Sequence, residues 1–260
     1  MSDTLSTFEF FQKFPNEEAA RDFFETRRWK KEPVCGHCGS LSVTECKGHK
    51  PMAYRCKDCR KHFSVRTGTV LAESRLPLLK WLLAIYMLTS ARKGIPSTQM
   101  ARELGVTQKT AWFLAQRIRE TWLKDQGAGD GGDHNQVDET YVGGKRSNMH
   151  ANKGATVVTD AYRGYLGLPK MGYDHIRIDQ SVGEYVKEKA HTNGIESFWA
   201  LLKRGHYSIY HHMSAKHLHR YVNEFAFRHN TAEVGTMTFI NMTIERMAFK
   251  RLTYKGLING

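Results

Sequence analysis

Apolar residues recur at helical spacing in several segments of the chain, which predicts a series of packed helices. The clearest of these segments are residues 16–28, 77–91 and 214–229, and the stretch from Thr231, which predicts one more helix and a short basic tail. Asn16 is the expected N-cap of the first helix, and Pro77 is expected to start the second. The chain therefore has a strong helical component.

Residues 97–120 predict two helices joined by a tight turn. Gly105 suits the turn, Thr107 suits the N-cap of the second helix, and Ala101 is small where the helices would cross. At helical spacing, the residues that face inward are Ala111, Leu114, Ala115 and Ile118. The pattern is typical of a DNA-binding helix-turn-helix, and it leaves four side chains to face a major groove: Gln108, Lys109, Trp112 and Gln116. A structural helical hairpin is the alternative.

The second half of the chain contains short β-branched stretches that predict strands. The first covers residues 137–142 and carries Asp138, and the second begins at Ala155 and ends at Asp160. A third strand is expected over 173–179. The preceding glycine-rich, acidic stretch, residues 125–136, predicts a linker.

Residues 193–204 predict a helix with two distinct faces. At about 100° per residue, Glu196 and Lys203 lie almost on one line, and Asn193 lies about 60° away. The apolar residues form a separate stripe that is suited to packing: Ile195, Phe198 and Leu202. This helix can therefore pack on one side and present an acid, an amide and a lysine on another.

The charge balance points to a polyanionic partner. Of 260 residues, 39 are Lys or Arg and 26 are Asp or Glu, giving a formal net charge of +13. Nucleic acid is the commonest partner of such a chain. No apolar run reaches the roughly 18 residues that a membrane span requires, and no signal-peptide pattern is seen, so we expect a cytoplasmic, nucleoid-associated protein without membrane contact.

Four cysteines form two C-x-x-C pairs separated by seventeen residues, and they are Cys35, Cys38, Cys56 and Cys59. This spacing is what a tetrahedral structural Zn²⁺ site requires, and it predicts a zinc ribbon whose strands cover residues 42–44 and 52–55. Cys46, His37 and His62 are not expected to be ligands. Basic residues surround the ribbon, which favours contact with nucleic acid: Lys47, Lys50, Arg55, Lys57, Arg60 and Lys61.

The two strand acids and the helix acid form a set that suits two Mg²⁺ ions, because Mg²⁺ prefers carboxylate oxygens. Two such ions can activate water or a 3′-hydroxyl and stabilise the leaving oxygen in phosphodiester chemistry. Thirty-five residues lie between Asp160 and Glu196. The motifs VDETYVGG at 137–144, VVTDAYRGY at 157–165 and HTNGIESFWALLKRG at 191–205 resemble the DDE insertion-sequence transposases of the ISXO-like group.

That resemblance implies an α+β multidomain protein: a Cys₄ zinc ribbon, a helix-turn-helix segment and a shortened ribonuclease H-like α/β domain. It assigns Asp138 and Asp160 as the first two catalytic acids and Glu196 as the third, with Asn193 as the rival. Lys203 and Arg204 would hold phosphates. The implied activity is cleavage at the element's 3′ ends and strand transfer into target DNA, by a homo-oligomer that binds double-stranded terminal inverted repeats.

One spacing departs from the family pattern. Only twenty-one residues separate Asp138 from Asp160, and the family has a longer segment there, which predicts an internal deletion. A non-catalytic DNA-binding regulator of transposition is therefore a second hypothesis. A different metal-dependent nuclease and a zinc-stabilised interaction protein are the remaining ones.

The expected domain order follows from these segments. It is an N-terminal helix (1–30), the zinc ribbon (31–69), the helix-turn-helix segment (70–124), the linker (125–136), the catalytic domain (137–230) and a C-terminal helix with a tail (231–260).

Overall fold

The computed structural model describes residues 4–46, 48–49, 51–123, 135–137, 156–159, 169–171, 174–177 and 193–259. For 135–137, 156–159, 171, 174–177 and 193–196 it describes the backbone element and not the side chains. The chain forms two compact units, residues 1–123 with 227–260 and residues 124–226. In the described part of the chain, no helix is both long and apolar enough to span a membrane.

The first unit begins with two helices where the sequence predicts one. Helix α1 (Thr7–Lys13) starts in a capping box between Ser6 and Glu9. Helix α2 (Glu17–Trp29) has the predicted N-cap, since Asn16 accepts a hydrogen bond from Ala19 N. Glu17 then accepts hydrogen bonds from Leu78 N and Leu79 N at 2.7 and 2.9 Å. It thereby satisfies two orphan N–H groups at the start of the next helix, where Pro77 makes no side-chain capping bond.

The ribbon is a three-stranded antiparallel sheet in the order β1 (Val43–Glu45), β2 (Tyr54–Cys56), β3 (His62–Phe63). The first two strands match the predicted pair to within one or two residues. The third was not predicted because it is two residues long and has no alternation to detect. It pairs with β2 and extends the sheet past the second cysteine pair.

Three helices follow the ribbon: α3 (Leu78–Ser90), α4 (Ser97–Leu104) and α5 (Gln108–Thr121). Helix α3 is the predicted apolar helix and is the centre of the core, with buried residues on all sides, including Trp81, Leu82, Ile85 and Leu88. A helix that is apolar all round is stable only when its neighbours cover it.

The C-terminal segment supplies part of that cover. Helix α7 (Ala215–Asn230) is followed by α8 (Thr236–Glu245) and α9 (Tyr254–Asn259). The sequence predicts a separate segment with one helix and a tail, whereas residues 227–260 belong to the first unit and the tail forms α9. Trp122 Nε1 donates to Thr243 Oγ1 at 3.1 Å, and the Trp122 ring stacks on Phe227 at 5.6 Å.

The described part of the second unit contains a parallel sheet in the order β4 (Asn135–Val137), β5 (Thr156–Thr159), β6 (Asp174–Arg177). β5 and β6 lie within the predicted strands, whereas β4 overlaps the predicted strand 137–142 only at Val137, and 138–142 lie outside the described residues. Helix α6 (Asn193–Gly205) follows and continues into a π-helical turn, His206–Tyr210. A small separate core contains Phe198, Leu202, Met213, Tyr221 and Phe225. Of the predicted linker, 125–134 lie outside the described residues, and its last two residues, 135 and 136, belong to β4 and not to a linker.

Candidate metal centre and nucleic-acid interface

The sulfur atoms of the four predicted zinc ligands lie together. The Sγ atoms of Cys35, Cys38, Cys56 and Cys59 all fall within 4.8 Å of one another, and two pairs are separated by 3.7 and 3.6 Å. Tetrahedral Zn²⁺ with bonds of about 2.3 Å holds its sulfurs about 3.8 Å apart. A disulfide requires about 2.05 Å, so these are free thiols. The site fits structural Zn²⁺.

Backbone N–H groups donate hydrogen bonds to two of the four sulfurs, those of Cys35 and Cys56. His37 N donates to Cys35 Sγ at 3.4 Å in the first cysteine pair. In the second pair, a hydrogen bond from Cys59 N is the largest cause of a lowered pKa of about 7 for the Cys56 thiol, and Asp58 N adds to it. Donors that stabilise the thiolate favour the form that binds metal.

The first cysteine pair packs against the loop 64–69 so closely that there is no space for a side chain at Gly36 or Gly68. A Cβ atom on Gly36 would lie 2.4 Å from Thr67 O, and a Cβ atom on Gly68 would lie 2.7 Å from Gly36 O. Gly39 has a different reason to be glycine, because its φ is +77°. In the sequence, Gly36 lies inside the first C-x-x-C pair and Gly39 directly after it, where a tight turn favours glycine. Gly68 was missed, since the contact depends on tertiary structure.

Arg28 donates hydrogen bonds to the backbone of this loop. Its guanidinium donates to Val65 O at 2.5 Å and to Thr67 O at 2.6 Å. Burial lowers the Arg28 pKa to about 10, which leaves the side chain charged at neutral pH. No sequence pattern predicts this role, because an arginine at the end of an amphipathic helix ordinarily faces water.

Three residues near the metal centre, Cys46, His37 and His62, are not among the predicted ligands. Cys46 is not part of the four-sulfur group. The exposed His37 has its Nε2 atom 3.2 Å from His62 O. Of the predicted basic residues, Lys47 and Lys50 lie outside the described residues. The others are all exposed on the ribbon: Arg55, Lys57, Arg60 and Lys61.

Helices α4 and α5 have the predicted local geometry. Gly105 ends α4 in the left-handed conformation, with φ 59° and ψ 50°, where glycine carries no steric cost. Thr107 caps α5 by accepting from Thr110 N at 3.2 Å. The predicted inward-facing residues are all buried: Ala101, Ala111, Leu114, Ala115 and Ile118.

The four residues of α5 that are predicted to face DNA differ in their exposure to solvent. Gln108 and Lys109 are exposed at the start of the helix, and Trp112 is half-buried. Gln116 is fully buried, so its predicted contact with DNA is wrong. The C-terminal segment contacts α5 elsewhere: the centre of the Tyr254 ring lies 4.7 Å from Lys109 Nζ and 5.4 Å from the centre of the Phe113 ring. The prediction had assumed a solvent-exposed face along the whole helix.

The predicted catalytic aspartates, Asp138 and Asp160, lie outside the described residues. Their neighbours in the sequence do not: Val137 and Thr159 are the last residues of β4 and β5, and they are paired in the parallel register. Helix α6 contacts β4 and contains positions 193, 196 and 203. The side chains of Asn193 and Glu196 are outside the described set.

The side chains of α6 that the structure describes follow the predicted division. Phe198 and Leu202 are buried, as the apolar stripe requires. Lys203 and Arg204 are exposed in the last turn. Basic side chains at a helix C-terminus also interact favourably with the helix dipole.

Two family models match this chain. Residues 15–62 match the transposase zinc-ribbon domain, and residues 147–230 match the ISXO2-like transposase domain. The chain is therefore similar to a transposase zinc ribbon over one region and to an ISXO2-like transposase domain over another. The resemblance to ISXO-like transposases and the α+β multidomain class are confirmed.

The matched transposase domain contains Asp160, Asn193, Glu196 and Lys203, whereas Asp138 precedes it. A curated relative is the "Uncharacterized protein in transposable element ISH50" of Halobacterium salinarum, which is 33% identical over 106 residues. That match covers 40% of this chain and 35% of the relative, so the chain spans about a third of its length. No solved structure matches the chain.

Proposed function

We propose that this protein is the transposase of an ISXO2-like insertion sequence, which binds the ends of its element and catalyses Mg²⁺-dependent cleavage and strand transfer. The observation that carries the proposal is the parallel register of β4 and β5. Its paired end residues, Val137 and Thr159, directly precede Asp138 and Asp160, and equivalent ends of parallel strands open on the same edge of a sheet. A family match to a transposase domain over 147–230 supports the same assignment.

Helix α6 supplies the third acid in this proposal. Helix α6 contains position 196 and contacts β4, which supports Glu196 as the acid that joins the two aspartates. Asn193 begins the same helix and is the rival ligand. Two Mg²⁺ ions held there would activate the attacking oxygen and stabilise the leaving oxygen. Lys203 and Arg204 bind the phosphates that flank the cleaved bond.

DNA binding belongs to the first unit. The exposed basic residues of the ribbon and the start of α5, with Gln108 and Lys109, form the proposed contact with the terminal repeats. Phosphate contacts by lysine and arginine provide affinity, and side chains at a helix N-terminus reach base edges. We expect a homo-oligomer, since the two ends of an element are processed together.

The test is a cleavage and strand-transfer assay with duplexes taken from the DNA flanking the gene. Mg²⁺-dependent cleavage is expected for the wild type, and it is expected to be lost in Asp138→Asn, Asp160→Asn and Glu196→Gln. Glu245→Gln is the matched control, because Glu245 is an exposed acid on another helix, α8. Asn193→Ala separates the two candidate third ligands: loss of cleavage there, with retention in Glu196→Gln, would exchange their roles.

A non-catalytic regulator is the second candidate function. It is favoured by the first unit, which has its own core and includes both ends of the chain. In that case the wild type would bind the same duplexes with and without Mg²⁺ and would never nick them. Such a result would contradict the catalytic proposal while leaving the DNA-binding part intact.

A further inference from the structure

Phe249 is an aromatic side chain held out in solvent. It is 99% exposed, more than the other large apolar residues described as exposed. Large aromatic side chains contribute stability when buried, so full exposure of phenylalanine does not serve the fold. Its φ of +61° lies in the left-handed region, which is unusual for a bulky residue and is found at sites that the surrounding structure holds in place.

The backbone around Phe249 is well anchored. Phe249 N donates to Gly68 O at 2.9 Å, and Val70 N donates to Met247 O at 3.3 Å. Ala248 forms an antiparallel bridge with Thr69. Met247 and Leu252, which flank this segment, are buried. The Phe249 ring is therefore attached to a backbone that hydrogen bonds hold in place.

The same segment lines a groove of about 780 Å³ beside the zinc ribbon. Four basic side chains and one acidic side chain line it: Arg66, Arg75, Lys250, Arg251 and Glu73. Arg251 pairs with Glu73 at 2.7 Å, and Arg66 donates to Ser74 O at 2.7 Å. Arg75 is exposed at the rim. The groove thus carries a net positive charge around an exposed aromatic ring.

We propose that this groove binds DNA and that the Phe249 ring stacks on a base that has left the helical stack. The proposal rests on DNA binding by the first unit and adds to it a specific contact with distorted DNA. Aromatic rings stack on bases of any sequence, and nearby cations bind the adjoining phosphates. Apolar side chains are also inserted at base steps by proteins that kink DNA.

The charge of the groove favours this occupant over a second copy of the chain. Two copies docked groove to groove would bring like charges together, whereas the basic groove and the net charge of +13 both favour a polyanion. The negative backbone of DNA is complementary to both features.

The experiment compares two short duplexes from the DNA flanking the gene, one fully paired and one with a bulged 2-aminopurine. We expect the wild type to bind the bulged duplex more tightly, roughly tenfold, since stacking on a base that is already unstacked avoids the cost of opening the helix. Stacking on Phe249 should also change the 2-aminopurine fluorescence. Phe249→Ala should lose both effects, Phe249→Trp should keep them, and Phe249→Leu should lose the fluorescence change.

Phe8→Ala is the matched control, because Phe8 is 73% exposed on α1 and does not line the groove. The proposal is overturned if Phe249→Ala retains the preference and the fluorescence change. It is also overturned if Phe249→Ala alters only the size of the protein in solution, which would identify a second copy as the occupant. Binding of both duplexes without preference refutes the stacking role alone, whereas no binding of any duplex refutes DNA binding by the first unit as well.

Discussion

Replacement of Gly36 by alanine is expected to weaken metal binding, because the first cysteine pair has no space for a side chain. The added Cβ atom would lie 2.4 Å from Thr67 O and 2.9 Å from the carbonyl carbon of the same residue. The loop cannot retreat without stretching the bond between Arg28 Nη2 and Thr67 O, which is 2.6 Å long. Overpacking at such a contact costs about 1–3 kcal/mol.

That cost is expected in the metal affinity, since binding of the ion and folding of a small ribbon are coupled. A loss of about 2 kcal/mol corresponds to an affinity roughly thirtyfold lower. The assay is a Co²⁺ titration followed by the visible absorption of the cobalt–thiolate centre, with Zn²⁺ competition to obtain the zinc affinity. The full chain is used throughout.

Two other glycines of the ribbon separate crowding from backbone conformation. Gly39 has a φ of +77° but nothing within 4 Å of an added Cβ, so Gly39→Ala carries only a backbone cost of about 1 kcal/mol. Gly48 has open space and a φ outside the left-handed region, so Gly48→Ala should resemble the wild type. The expected order of weakening is Gly36→Ala, then Gly39→Ala, then Gly48→Ala. If Gly36→Ala binds Co²⁺ as tightly as Gly48→Ala, the argument from close packing is wrong.

Other outcomes follow from the same contacts. Metal affinity should fall as the pH is lowered from 8 to 6, because the ion binds thiolates, the Cys56 pKa of about 7 lies inside this range and the Cys38 pKa is raised above it; an affinity independent of pH over that range would contradict this. Thr243→Val should lower the free energy of unfolding by about 1–3 kcal/mol in urea, because Trp122 Nε1 loses its acceptor inside the core. Gln116→Ala should lower the free energy of unfolding in urea without changing the affinity for DNA, because Gln116 is buried. Gln108→Ala should weaken DNA binding, measured by fluorescence anisotropy, without changing the free energy of unfolding, because Gln108 is exposed.

The features that the sequence predicts correctly depend on residues that are close together in the chain. The spacing of Cys35, Cys38, Cys56 and Cys59 was sufficient, because each pair lies in one turn and a hairpin joins the two turns. Caps behaved in the same way: Asn16 and Thr107 act on amides three residues ahead. These features need no knowledge of the rest of the fold.

Features that depend on a distant segment of the chain were not predicted from the sequence. Arg28 reaches carbonyl groups 37 and 39 positions away, and Gly68 is required by its contact with Gly36. The assignment of residues 227–260 to the first unit was also not predicted. Gln116 is buried on a helix whose own pattern predicts exposure at that position. Helical periodicity identifies one buried face of α5 but does not reveal a second.

The strand boundaries also bear on the internal deletion predicted from the short spacing between the aspartates. With a first strand extending to Val142, the connection to the second strand would be reduced to Gly143–Lys153, eleven residues without a helix pattern. Among the described residues β4 ends at Val137 and β5 begins at Thr156, and eighteen residues of sequence, 138–155, separate these two parallel neighbours. A parallel crossover needs roughly a dozen residues, which this connection exceeds. The deletion stays a prediction, but the spacing it leaves is compatible with both aspartates following paired strand ends, as the catalytic proposal requires.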